Sequence, residues 1–272
     1  MAKSREIKLN LPAADDLFST QEERDEAKRE YVAEIPLTEI SDFPDHPYKV
    51  KQDESMLELA ASIREKGVVN PALVRPKPEG GYEMVAGHRR KFASEIAGKT
   101  VMPCIVRNLT DDEATIIMVD SNLQREKVLP SEKAFAYKMK LDAMNRQAGR
   151  PSKNMTPVVS NSFGVRTNEV LAKEVGESRE TIRRYIRLTE LITPILDMVD
   201  EGKIAMRPAV ELSYLPKEQQ QALFDTMKLE DCTPSHAQAI KMRKFAEAGK
   251  LNEDVILSIM TEEKPNQVEQ FK

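Results

Sequence analysis

Arg179, Thr181, Arg183, Arg184 and Arg187 crowd together just after Ser178, in the stretch NEVLAKEVGESRETIRRYIR, residues 168–187. Guanidinium groups donate in pairs to the O6 and N7 of guanine, and Ser or Thr hydroxyls reach bases or phosphates. This set of side chains therefore suits the reading of duplex DNA from its major groove. The residues between them read as two short helices. Val170, Leu171 and Val175 lie on one side of the first, with the small Ala172 where the second must cross closely. Gly176 suits a turn that needs a left-handed residue. Ser178 can cap the second helix, whose inner face is Ile182, Tyr185 and Ile186. A small residue, a Gly four positions on and a branched apolar residue six after that is helix-turn-helix spacing. An ordinary helical hairpin with a solvated basic face shares the pattern, so the rest of the chain has to decide.

A second constellation is Gly87-His88-Arg89-Arg90-Lys91, placed where a strand hands over to a helix. A Gly there allows close backbone approach, the first amides of a helix are donors without helical partners, and the helix dipole favours an anion. Arg89 and Arg90 add charge-assisted donors, and the whole makes a phosphate cradle. A solvated basic helix start is the plainer alternative. The Walker pattern G-x-x-x-x-G-K-[ST] occurs nowhere. Downstream, Asp120-Ser121-Asn122-Leu123-Gln124-Arg125-Glu126 closes another helix with a run of polar groups. A Mg²⁺ held mainly by phosphates needs only one or two protein oxygens, such as the Asn122 amide. A simple Asn122 cap of the helix end is the competing reading.

These elements sit in a chain of 272 residues, long enough for two or three domains. Charged residues make up 32% and aromatics 5%, with no Trp, as suits a helix-rich protein. The formal net charge of −4 argues against a generic polyanion binder, so local charge matters more. Arg146, Arg150, Lys153 and Arg166 fall between Asn145 and Asn168 with no acid among them. Cys104 and Cys232, with His46, His88 and His236, match no zinc spacing. The N-terminus is charged and lacks an apolar signal core, and no apolar run approaches a membrane span, so a cytoplasmic protein is expected.

Taken in order, residues 1–33 form a polar arm, and ordered structure is expected from Glu34. Met56, Leu57, Leu59, Ala60 and Ile63 give a helical stripe over Ser55–Lys66. Ala72–Arg75 and Tyr82–Val85 flank Gly80-Gly81, a hairpin signal, and Val101–Val106 is a third strand. Helices are expected at His88–Ala97, Asp111–Asp120 and Ser131–Gln147. Residues 148–166, rich in Gly, Pro, Ser and Asn, read as a flexible basic loop. Gly149-Arg150-Pro151 within it can serve as a minor-groove hook or as plain linker. Five further helices, from Pro194 to Thr261, complete the chain.

The order strand–GHRR–helix, then DSNLQREKVLPSEKAFAY, then a helix-turn-helix, resembles the ParB family of plasmid and chromosome partition proteins. The resemblance covers Glu34 to Leu215. It implies an α+β fold: a nucleotide-binding domain over 34–128, an all-α helix-turn-helix DNA-binding domain over 129–215 and a helical C-terminal region over 216–272. It also implies CTP and Mg²⁺ as ligands, a palindromic centromere-like DNA site, a partner ParA-type ATPase and a homodimer. No long linker to a lysine-rich dimerisation segment is evident after the helices, so the dimer interface is unassigned. Carried over by position, Gly87, His88, Arg89 and Arg90 would contact the triphosphate, beside Ser121 and Asn122. Asn122 would ligate the metal, and Gln124 and Arg125 would belong to a hinge. Ser178, Arg179, Thr181, Arg183, Arg184 and Arg187 would face DNA.

The chain departs from the family pattern twice. His88 stands where a Glu is usual, and Ser121 replaces a Glu implicated in hydrolysis. Nucleotide binding is thus expected, while turnover and its catalytic residues stay open. A transcriptional regulator built on the same DNA domain is a second reading. A phosphotransferase on the related sulfiredoxin-like fold is a third, disfavoured because Gly87 occupies the position where sulfiredoxins carry their catalytic Cys.

Overall fold

The computed structural model describes residues 31–44, 46–48, 53–123, 128–147 and 167–262. Residues 1–30 of the expected polar arm, the Gln124–Arg125 pair and the basic loop 148–166 with its Gly149-Arg150-Pro151 lie outside the described residues. Tyr31, Val32 and Ala33, expected in the arm, instead begin a strand that pairs along Val101–Val106. The chain forms two compact units. The first takes the described residues up to Phe43 and then Asp53–Leu109; the second takes Pro44–Tyr48 and everything from Thr110 onward.

The first unit is built on five strands: β1 (Tyr31–Pro36), β2 (Ile40–Ser41), β3 (Ala72–Pro76), β4 (Tyr82–Ala86) and β5 (Val101–Val106). Their order across the sheet is β1-β5-β3-β4-β2. β1 runs antiparallel to β5 and β3 antiparallel to β4, while β3–β5 and β4–β2 are parallel. Alternation decides which face is buried. Ala72 and Val74 of β3, Met84 of β4, and Met102, Cys104 and Val106 of β5 form the core with Ile35, Leu37 and Ile40. Burial pushes the Cys104 thiol up to about 11, so it behaves as a small apolar side chain. The expected hairpin is present: the Lys77 amide donates to the Gly81 carbonyl at 3.0 Å, and Gly80 to Lys77 at 3.1 Å. Helices α1 (Glu54–Lys66) and α2 (His88–Ile96) pack together through Met56, Ala60, Ile63 and Ala93.

From Thr110 onward the described residues of the second unit form helices joined by short turns. α3 (Asp111–Leu123) packs on α4 (Pro130–Gln147), the longest helix among the described residues. α5, residues 167–175, and α6 (Arg179–Leu188) form the central hairpin, and α6 also packs on α4. There follow α7 (Thr193–Asp200), α8 (Met206–Leu212), α9 (Lys217–Leu229), α10 (His236–Glu247) and α11 (Glu253–Met260). Their boundaries differ from the sequence expectation by a residue or two, except that α3 runs on to Leu123. They enclose a large apolar core that includes Leu188, Ile195, Leu212, Leu223, Met242 and Ile256. Gln220 is fully buried yet satisfied: its amide donates to the Glu190 and Leu215 carbonyls, and its oxygen accepts from the Ile192 amide. Among the described residues no helix is long and apolar enough to cross a membrane.

Gly87 joins the sheet to α2 and tolerates nothing larger. Its φ is +122°, and an added Cβ would lie 2.8 Å from the Ala72 Cβ and 3.3 Å from an Arg90 nitrogen. Both the backbone conformation and the close approach exclude other residues. Gly87→Ala should therefore destabilise the protein by ~1–3 kcal/mol. Chemical denaturation of the full chain would show this as a lower midpoint with an unchanged slope.

Candidate functional site

The helical hairpin of α5 and α6 is the first candidate. Leu171 and Ile182 are fully buried and meet Tyr137 of α4, with Ala172, Val175, Tyr185 and Ile186 around them. Val170 departs from expectation: it is 46% exposed, because α5 turns Leu171 rather than its neighbour toward α4. At the turn Gly176 has φ +69°, and the Glu177 amide donates to the Ala172 carbonyl at 3.1 Å. Ser178 caps α6 as expected, its Oγ accepting from the Thr181 amide at 3.0 Å. The Ser178 and Thr181 hydroxyls also pair with each other at 2.8 Å. α4 braces the hairpin further, with Tyr137 and Tyr185 edge to face at 5.7 Å between centroids and Lys133 reaching Glu177 at 3.2 Å.

Packing one side of α6 inward leaves its arginines on the other. The side chains of Arg179, Arg183 and Arg184 are 46%, 63% and 47% exposed. Their ionic contacts are long: Arg179 to Glu169 at 3.4 Å, and Arg183 and Arg184 to the shared Glu180 at 3.7 and 3.6 Å. Exposed pairs of this kind are worth little, so these guanidinium groups are readily redirected to a stronger anion. Arg187 differs. It donates to the Ser213 hydroxyl at 3.1 Å and carbonyl at 2.7 Å, and lies 4.1 Å from the Tyr214 ring centroid. Arg243 of α10 approaches the same ring at 3.7 Å and pairs with Glu211 and Glu247. Arg187 thus ties α6 to the end of α8 instead of projecting with the other three. A cleft of about 300 Å³ beside them is lined by Arg183, Arg184, Arg187, Tyr214 and Arg243, with Glu180 and Glu211 at its edges. Tyr214 and Arg243 carry no local signal; they reach the recognition helix only through the fold.

The second candidate is the start of α2. No side chain caps Gly87, and the first turn holds Arg89, Arg90 and Lys91 with no acid. Cations there oppose the helix dipole, an arrangement better suited to a bound anion than to helix stability. Arg89 donates to the Ser55 hydroxyl at 2.8 Å and lies 3.9 Å from Asp53, at the start of α1. The Ser55 hydroxyl, with the Met56 amide and Arg89, holds the Asp53 carboxyl below its usual range. Arg90 is engaged differently from the expectation of two outward donors: its Nη1 donates to the Asn70 and Pro71 carbonyls at 2.6 and 2.7 Å, pinning the chain that leads into β3. Lys91 pairs with Asp42 at 2.8 Å, and His88 is buried. Asp53, Ser55, Asn70 and Pro71 border the motif without any sequence mark of their own.

Ser121 and Asn122 close α3, in the other unit. Asn122 is buried and its Nδ2 donates to the Met118 carbonyl at 2.8 Å, while Ser121 Oγ donates to the same carbonyl at 2.9 Å. Among the described residues no group of three or more His, Cys, Asp or Glu side chains is arranged to hold a metal. A cation here would need ligands from a bound phosphate.

Comparison with known proteins agrees with this layout. Residues 21–123 match the family model described as the ParB N-terminal domain, and residues 159–243 the ParB HTH domain. The chain is similar to a probable chromosome-partitioning protein ParB of Mycobacterium leprae, with 30% identity over 93% of this chain and 72% of that protein. It is 34% identical to a probable partitioning protein of Deinococcus radiodurans, over 78% of this chain and 66% of the relative. A nucleoid occlusion protein of Halalkalibacterium halodurans is 30% identical over 79% and 67%. The chain spans 66% of the Deinococcus protein and 61% of a Thermus thermophilus Spo0J relative. A truncated Caulobacter crescentus ParB complexed to the centromeric parS site overlays with 23% identity and TM-score 0.42, covering 84% of this chain and 98% of that one. Another, complexed with CTP-gamma-S, overlays at 28% and 0.33 over 73% and 99%. At those TM-scores the overlays carry no weight beside the sequence relatives. With the two ParB domains present in order and relatives matched over most of its length, the chain belongs to the ParB family of partition proteins.

Proposed function

We propose that this protein is a cytoplasmic partition protein that binds a palindromic, centromere-like duplex as a homodimer. Its grip on DNA is gated by CTP with Mg²⁺, and it works with a ParA-type ATPase. The observation that carries the DNA reading is the row of lightly held arginines on α6, a helix capped by Ser178 and braced from behind by Tyr137 and Lys133. Seated in a major groove, the first turns of α6 bring Arg179, Arg183 and Arg184 to base edges or phosphates. Ser178 and Thr181 sit at the helix start, where hydroxyls and free amides meet phosphate. Arg187, held against Ser213 and Tyr214, ties α6 to the end of α8, and its positive charge adds to the attraction for the DNA backbone.

The nucleotide reading rests on family membership and on the uncapped, cationic start of α2. Gly87 lets the turn into α2 pack directly on Ala72, where any Cβ would clash. Arg89 can swing to a phosphate by giving up a hydrogen bond to Ser55 and a long, exposed pairing with Asp53, while Arg90 supports the loop and the helix start. Asn122, its amide nitrogen already engaged within α3, would present its oxygen to Mg²⁺. When bound, the ion would neutralise phosphate charge. Ser121 supplies no carboxylate to orient water, so the site is better suited to binding nucleotide than to hydrolysing it.

Arg183→Ala and Arg184→Ala should each weaken binding to a selected palindrome by ~1–3 kcal/mol if they read bases. Titration against selected and scrambled duplexes over a salt series checks this, and unchanged affinity and selectivity in both variants would refute the groove assignment. Crosslinking with the four nucleotides, with and without the palindrome, should favour CTP. Arg89→Ala should lose ~1.5–3 kcal/mol of that binding, as for a hydrogen bond to a charged group. Equal crosslinking of the variant, or none by either protein, would remove the cradle.

A further inference from the structure

We infer that Lys140 is a mechanical joint, through which the end of α3 is felt by the DNA-binding hairpin. The residue lies on α4, and its side chain is 2% exposed. Its Nζ sits 2.5 Å from Asp120 Oδ1 on α3 and 2.7 Å from Glu174 Oε2 on α5. Both carboxylates are nearly half exposed, so of these three charges the enclosed one is Lys140, shared between two other elements. Burial alone would lower the affinity of Lys140 for its proton, but the hydrogen bonds to Asp120 and Glu174 outweigh it and the residue stays charged.

Position gives the joint its meaning. Asp120 directly precedes Ser121 and Asn122, and Glu174 lies two residues before the Gly176 turn. Lys133, Tyr137 and Lys140 share one face of α4, and their partners Glu177, Tyr185 and Glu174 all belong to the hairpin or its turn. Asp120 is the partner that comes from elsewhere. Beside it opens a cavity of about 470 Å³, lined among others by Asp120, Tyr137, Lys140, Glu174 and Glu177. The two carboxylates therefore have room to move relative to each other. A buried ion pair is weak evidence for stability, and fixing the register of packed elements is its best-attested use. A shift of the last turn of α3 would strengthen or release Asp120, and Lys140 would pass the change to Glu174 and to the seat of α5 on α4.

This joint rests on the reading that the Ser121–Asn122 end of α3 senses nucleotide, so the test separates the two. The first arm uses no nucleotide. Asp120→Asn, Glu174→Gln and the double variant of the full chain are titrated with the selected palindrome, each amide still offering an oxygen to the buried Lys140 ammonium, and thermal unfolding confirms that each variant is folded. The joint predicts that each single change alters DNA affinity, and that the double differs from the product of the singles by at least about threefold. Effects that multiply within twofold, or coupling seen in thermal stability but not in DNA affinity, overturn it. The second arm measures how far CTP with Mg²⁺ shifts DNA affinity in the wild type, in Asp120→Asn and in Lys140→Met. The joint predicts a shift in the wild type that falls at least threefold in the variants; an equal shift in all three overturns it. Absence of any shift in the wild type defeats the nucleotide reading, while the first arm still decides the joint.

Discussion

The outward row of arginines on α6 depends on one apolar contact, in which Leu171, Ile182 and Tyr137 close a small core between the hairpin and α4. That contact fixes which way α6 faces. With Ile182 turned inward, Arg179, Arg183 and Arg184 have nowhere to go but outward, and Tyr185 and Ile186 close the flank. Gly176 lets the chain reverse within the space this contact allows, and Ser178 satisfies an amide that the reversal exposes. Binding chemistry on α6 is thus a consequence of packing behind it.

The arginines divide by what holds them. Arg187 and Arg243 flank the Tyr214 ring and are bound to Ser213, Glu211 and Glu247, so they join helices. Arg183 and Arg184 meet only Glu180 at distances near the limit of an ion pair, and solvent screens that pairing. The same division appears at α2, where Arg90 is committed to two backbone carbonyls and Arg89 to an exposed hydroxyl and a distant carboxylate. In each motif a structural arginine steadies the element and less firmly held neighbours remain available to a ligand.

Local signals carried far in this chain because the elements are short and sharply punctuated. The Gly80-Gly81 hairpin, the Gly176 turn, the Ser178 cap and the bounds of nearly every helix were readable, since each rests on a residue whose effect is felt within a few positions. Val170 was misplaced because the hydrophobic stripe of α5 admits two rotations, and only the meeting with Tyr137 selects one. Arg187 and Arg90 looked like their neighbours because sequence shows charge but not partners: Ser213, Tyr214 and the Asn70 carbonyl lie 19 or more positions away. Lys140 was invisible for the same reason, its meaning resting on acids from two other helices.

The central claim is that α6 reads base edges from the major groove, and guanine methylation interference tests it most directly. A palindrome selected from random duplexes is methylated sparsely at guanine N7, and bound and free fractions of the full-length chain are compared. The account predicts that methylated guanines in both half-sites are excluded from the bound fraction, and that Arg183→Ala or Arg184→Ala loses one of these exclusions per half-site. Binding by the unaltered protein that ignores N7 methylation everywhere, while weakening with salt as any phosphate contact does, would contradict it.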